Sequence, residues 1–318
     1  MRRIAGSLAT KPIVLLGPQH VAPTVGRALR QLRIGERVAL CTAGWQERES
    51  DDQAIGGALG VPAVNLALHA RSEEVFARDP ELAAAYKERQ ARLRLLQDFY
   101  RVRLEHGEDA AHTISLRQVD PALLDEEGHV SLDLVRRLDQ DHLERCRAVH
   151  AAFDSRWRPA ERDAVARHRR ELAGLLRSAA ALVVAGGHVA VLLNRMRLFD
   201  LPELAGRRPI IAWSAGAMVL CERVVLFHDH PPYGQGIAEV LDAGFGLVPG
   251  LVALPDPRRR LRLDDGGRVA RFARRFAPAA CVAMDQGAEI VYQGGRIARV
   301  AGIQRLALTG AIEGELPR

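Results

Sequence analysis

The sequence predicts an α/β fold: a doubly wound, mostly parallel sheet with a large all-helical insertion. Three observations carry that expectation. Short apolar runs such as "PIVLLG" (12–17) and "RVALCTAG" (37–44) alternate with segments of helical spacing such as "TVGRALRQL" (24–32), the pattern of buried parallel strands joined by crossover helices. After His69 no strand pattern appears for about a hundred residues. The strand–helix alternation then resumes at "AALVVAGGH" (180–188) and "PIIAWSAGAMVL" (209–220). The α/β unit is therefore expected over 1–70 and 179–318, and the insertion over 71–178.

Taken in order, the first two strands are followed by a third at "VPAVNLAL" (61–68). Asp79-Pro80-Glu81 reads as a helix start, with Asp as the cap, Pro in the first position and an acid in the first turn. Tyr86, Leu93, Leu96, Tyr100 and Leu104 recur from there at helical spacing, and Leu134, Leu138, Cys146, Val149, Phe153 and Trp157 form a second such stripe. Pro159 opens a third helix. These stripes are the mark of helix–helix packing and imply no cofactor box. The insertion is expected to serve as a lid or a dimer interface. Beyond it, "VAVLLNRM" reads as a helix, "RVVLFHDH" (223–230) as another strand of the sheet, and "GFGLVPGLVAL" (244–254) as a Gly-punctuated one. "RVARFARRF" (268–276) is helical; a strand at 280–285 and a terminal hairpin at 288–300 close the chain.

With 318 residues, 48% of them apolar and 26% charged, the chain has ample length for a large core. The formal charge of +6 comes almost wholly from arginine, because lysine occurs only at 11 and 87, and acids are interleaved throughout. The runs at 258–260 and 274–276 lack the interleaved aromatics of a single-strand-binding surface, so nucleic acid is the weakest of the partner readings. Four scattered cysteines, at 41, 146, 221 and 281, form no CxxC pair and suit a reducing compartment. No apolar run has the length of a signal-peptide core or a membrane span, and a cytoplasmic location is expected.

Ligands of doubly wound sheets sit beyond the carboxyl ends of the strands. Several reactive residues are expected there: His20, Glu47, the Gly186-Gly187-His188 turn, Ser214, and His228-Asp229-His230. "AWSAGA" is an apolar strand stopping at Trp213-Ser214 in a burst of small residues, which fits a strand turning sharply into a helix with the serine at the apex. The parts fit acyl-transfer chemistry: Ser214 as nucleophile, the Gly187 and Ala215 N–H groups as an oxyanion hole, and Asp229 orienting a histidine. Trp45 in "TAGWQERESDD" fits either a pocket wall or packing beneath the insertion. His228 and His230 share one face of an extended strand and fit a zinc pair, with His20 as a third ligand, but spacing fixes no third ligand and no metal is expected.

The combination of "AGGHVAVLL", "AWSAGA" and an acid fifteen residues past the serine resembles the dipeptidase E and cyanophycinase family of serine peptidases, of the class I glutamine amidotransferase-like fold. The likeness covers about 180–292 well and 12–68 loosely, and leaves the helical block outside. It implies a cofactor-free hydrolase acting on peptides or peptide-like amides, notably those with acidic side chains. Catalytic roles fall to Ser214, Asp229 and a histidine, and Asp256 and Arg258 fall in the substrate region; from their own places at the strand ends, Gly186, Trp45 and Glu47 are also expected to contact substrate. Two departures stand out. Ala212 replaces the first glycine of the elbow pattern, and the segment matching the family's histidine reads "ALPDPRRRL", with Asp256 in its place and no histidine after 230. Either His230 or His188 supplies the base, or the site binds a ligand without turning it over, since a carboxylate is a far weaker base unless its pKa is raised. Arginines at 258–260 could grip a substrate carboxylate through a bidentate contact. The partners expected are a small peptide or amide substrate and a second copy of the chain, with no membrane.

Overall fold

The computed structural model describes residues 11–228 and 236–316. Its elements run β1 (Ile13–Leu16), α1 (Val25–Gln31), β2 (Val38–Cys41), a 3-10 turn (Ala43–Arg48), α2 (Gln53–Leu59), β3 (Ala63–Asn65), α3 (Leu68–Arg78), α4 (Pro80–Ser115), α5 (Pro121–Trp157), a 3-10 turn (Pro159–Glu161), α6 (Asp163–Arg177), β4 (Leu182–Val184), α7 (Val189–Phe199), α8 (Leu201–Ala205), β5 (Ile210–Trp213), α9 (Ala215–Leu220), β6 (Arg223–Leu226), β7 (Glu239–Ala243), β8 (Leu251–Pro255), α10 (Pro257–Arg260), α11 (Gly266–Phe276), β9 (Ala280–Gln293), β10 (Arg296–Leu306) and β11 (Ile312–Glu313).

Among the described residues nine strands form one sheet, ordered β11-β10-β9-β1-β5-β4-β2-β3, with β8 pairing β9 off that path. The block from β1 to β3 is parallel throughout. β9 joins it antiparallel to β1, and the β9–β10 hairpin extends the edge. Apolar residues cover both faces of β1, β2, β4 and β5, which is why those strands read as unbroken apolar runs. On one face Val14, Leu16, Val38, Leu40, Val183 and Ile211 pack under α1 and α2. On the other, Ile13, Leu15, Ala39, Leu182, Val184 and Ile210 pack under α7, α9 and the long helices. The chain leaves β2 toward the first face and β4 toward the second. The crevice between their carboxyl ends is thus the switch point where ligands of such sheets bind.

Two expectations about strands are corrected. Arg223–Leu226 is not a member of the main sheet: this strand, β6, pairs antiparallel with β7 in a separate two-stranded ribbon, and Asp229 and His230 lie outside the described residues. A lone apolar run looks the same whichever partner it finds, and the partner strand, "EVLDA", is too short and too acidic to announce itself. The expected strand at 280–285 and first arm of the hairpin at 288–300 are one continuous strand, β9. Its first half pairs β8 and its second half pairs β1.

Between α3 and α6 the described residues hold only helices and a 3-10 turn. Asp79 caps α4 by accepting from the Leu82 N–H at 3.0 Å, with Pro80 in the first turn, as the sequence predicts. Asp120 caps α5 in the same way. These helices, 36 and 37 residues long, lie against each other and against β7. No helix of the described residues is long and apolar enough to cross a membrane.

Candidate active site

At the end of β5 the chain turns at Ser214 into α9 with φ 51° and ψ −121°, a left-handed conformation that costs an L-residue energy and is held by its surroundings. What permits the turn is the absence of side chains nearby. A Cβ on Gly216 would lie 2.5 Å from the Val184 carbonyl oxygen, so only glycine lets α9 sit this close to β4. A Cβ on Gly186 would lie 2.9 Å from the Ser214 Cβ, and one on Gly187 would lie 2.5 Å from the Gly44 carbonyl oxygen and 2.9 Å from the Trp45 ring. Ser214, Gly186, Gly187, Gly44 and Trp45 therefore meet at the carboxyl ends of β5, β4 and β2.

Among the described residues, two of the backbone donors at this meeting point are used and two are not. The Ser214 N–H donates to the Leu16 carbonyl at 3.2 Å and the His188 N–H to the Gly44 carbonyl at 2.7 Å. Among the described residues, neither the Gly187 nor the Ala215 N–H donates to a protein acceptor. Such donors, fixed and unpaired, can receive a developing oxyanion. Ser214 is half-buried. Among the described residues no side chain hydrogen-bonds its hydroxyl.

The other expected residues divide. His188 is exposed and caps α7, its Nδ1 accepting from the Val191 N–H at 3.4 Å. In the neutral ring that bond leaves the proton on Nε2, so the outward nitrogen is a donor. Asp229 and His230 lie outside the described residues. His20 and Glu47 are exposed. Trp45 is half-buried and packs against the core on the α1/α2 face, rather than beneath the long helices. Among the described residues no group of three or more His, Cys, Asp or Glu side chains has the proximity to hold a metal ion.

Asp256 and Arg258 sit one strand further along the rim. Asp256 follows β8 in a left-handed conformation (φ 57°), its N–H bonded to the Met284 carbonyl at 3.2 Å. The next carbonyl, that of Asp285, presses against Gly17 at the end of β1, where a Cβ would lie 1.9 Å from its oxygen. The Arg258 guanidinium is ion-paired with Asp285. Arg260 lies 3.9 Å from the Asp256 carboxylate and 5.9 Å from the Phe227 ring, which stacks on His228. Burial, aided by the charge of Arg260 and opposed by that of Glu239, pushes the His228 pKa below the usual imidazole value.

Sequence reasoning missed four contributors. Gly17 and Gly44 brace the rim by close backbone approach. Gln46 takes nearly the same backbone conformation as Ser214, at φ 60° and ψ −126°. Glu49, 5% exposed, accepts from the His69 and Ala70 N–H groups at 3.0 Å each and so clamps the loop after β2 onto α3. A glycine directly before a tryptophan at a strand end is a usable signal; a buried Glu among four acids in ten residues is not.

No family profile matches the chain, and no curated protein matches it. Among solved structures it is similar to a peptidase from an acI-B1 Actinobacterium, with 12% identity and a TM-score of 0.46, over 97% of this chain and 98% of that one. It is also similar to a putative peptidase E protein from Listeria monocytogenes EGD-e, with 12% identity and a TM-score of 0.41, over 94% and 100%. Both of these structural neighbours are described as peptidases.

Proposed function

We propose that the protein is a serine hydrolase of the dipeptidase E and cyanophycinase type, on a class I glutamine amidotransferase-like fold, cleaving a peptide or amide bond. The observation that carries this reading is the strained turn at Ser214, held open by glycines and flanked by two unpaired N–H donors. The Ser214 oxygen attacks the scissile carbonyl, and the Gly187 and Ala215 N–H groups receive the oxyanion. Because the His188 Nδ1 already accepts a backbone hydrogen bond, the reading assigns the base to His230, with Asp229 orienting it. Asp256 and Trp45 border the substrate. Arg258 meets a substrate carboxylate only by exchanging its pairing with Asp285.

One observation favours a second reading, a ligand-binding relative without turnover: the Ser214 hydroxyl has no side-chain hydrogen-bond partner among the described residues. A biotinylated fluorophosphonate separates the two. Under the first reading it labels the wild type on the peptide containing Ser214, labelling disappears in Ser214→Ala, and His230→Gln slows it by about a hundredfold or more. An unlabelled wild type, or equal labelling of Ser214→Ala, overturns the hydrolase.

A further inference from the structure

Along one wall of α4, from Ala83 to Arg101, runs a trough of 860 Å³ whose other walls are α3, α7 and β7. The eighteen helical rises from Ala83 to Arg101 make it about 27 Å long. Its volume is that of a ligand site. The acids on its walls are already matched: Glu73 by Arg195 at 2.9 Å, Asp98 by Arg101 at 3.8 Å, and Asp242 by Arg197 at 2.7 Å.

What remains is positive. Lys87 and Arg94, both exposed on the trough wall, have no ion-pair partner among the described residues. Behind them Arg89, 6% exposed, lies between the rings of Tyr86 and Phe153 at 4.1 and 4.3 Å, with its Nε and one terminal nitrogen making no hydrogen bond. A buried cation without a carboxylate is costly and raises the local potential. An unpaired acceptor accompanies these charges. Gln97, 7% exposed, donates to Glu239 at 2.9 Å but leaves its Oε1 without a partner. Gln90 and Asn194 add an amide pair on the floor, bonded to each other at 3.0 and 3.3 Å.

We propose that this trough binds an acidic peptide segment in polyproline II form. Lys87 and Arg94 are two helical turns apart, about 10.5 Å, which matches carboxylates three residues apart on one face of a polyproline II chain, about 9.3 Å. The length accommodates about nine such residues. A peptide brings both the negative charge that the cations require and the N–H donor that Gln97 lacks. A nucleic-acid backbone brings acceptors alone. The proposal is independent of Ser214: the trough lies along α4, none of its lining residues belongs to the Ser214 turn, and binding there needs no turnover.

The test is isothermal titration of the full chain, at low ionic strength, with the capped nonapeptide (Glu-Ala-Ala)3. Wild type and Ser214→Ala are expected to bind it equally. Lys87→Glu/Arg94→Glu, both on exposed positions, is expected to bind at least tenfold more weakly, and the nonapeptide with Gln for Glu to bind the wild type at least tenfold more weakly. The idea is overturned by no binding to wild type, by an unchanged Kd in the double variant, or by equal binding of the Gln peptide. It is equally overturned by a nine-nucleotide oligo-dT binding as tightly as the acidic peptide. Binding by Ser214→Ala keeps this result separate from the fate of the hydrolase reading.

Discussion

The rim of the sheet and the long helices are held in opposite ways. At the rim, parts meet because side chains are missing: Gly17 abuts the Asp285 carbonyl, Gly186 abuts Ser214, and Gly216 abuts Val184. Where the long helices dock, parts meet because charged side chains are buried in pairs. Arg275, 4% exposed, bonds both oxygens of Asp139 at 2.7 Å, together with Tyr100 and the Ala238 carbonyl. His150 and Arg197 converge on Asp242, at 2.9 and 2.7 Å. Burial alone would raise the Asp242 pKa, but the His150 hydrogen bond and the Arg197 charge outweigh it and hold it at about 2. The difference teaches that the first region is intolerant of any added atom, whereas the second is intolerant of a lost partner.

The largest expected effect tests the rim. Gly17→Val places its Cβ where the Asp285 carbonyl oxygen stands, and both sides are backbone that a rotamer change cannot move. Either no folded protein is recovered or denaturant unfolding shows a loss above about 4 kcal/mol. A loss under about 1 kcal/mol would mean the rim is not set by close backbone approach, and the contrast would dissolve.

The second sharpens the other half. Asp139→Leu alone leaves the Arg275 charge buried without its main partner and is expected to cost about 3–5 kcal/mol. Asp139→Leu/Arg275→Met removes both charges and is expected to cost less than the single change, because an apolar pair of similar volume replaces the ions. Chemical denaturation of the four-member cycle reads this directly. A double variant as unstable as the sum of the singles would show that these ions do not act as a unit.

This contrast also explains what was legible in the sequence. Strands such as β1 and β5 announced themselves because both faces are buried, and the turn at Ser214 because small residues crowd it. The caps at Asp79 and Asp120 follow one local rule, Asp directly before Pro at the helix start. By contrast β6 left the main sheet unseen, since an apolar run carries no mark of its partner. The ion networks were illegible for a different reason. Among so many arginines nothing local distinguishes Arg275 or Arg89, which are buried, from Arg258, whose side chain is 80% exposed. The meeting of Gly44 with Gly186 and Gly187 depends on β2 pairing β4, a long-range fact that each loop alone does not contain.

The smallest expected effect is a gain, and it probes the seam between α7 and α8. Asp200 sits there with φ 51° and ψ 52°. Burial, then a hydrogen bond with Glu203 and repulsion from its charge, raise its pKa from 3.8 to about 7. A carboxyl whose folded pKa is raised is held protonated by the fold. Stability therefore falls as pH rises from about 4 to 7 and stays at its lower level above that. Asn imitates the protonated form, donates to Glu203 through its amide, and tolerates the left-handed conformation better than most residues. Asp200→Asn should leave Tm unchanged at pH 4 and raise it by roughly 2–4 °C at pH 8, read by thermal melts at the two pH values. An equal shift at both would trace the gain to backbone preference instead. A buried group at this seam would then follow the logic of shape that governs the rim, and charge would no longer mark the helical side.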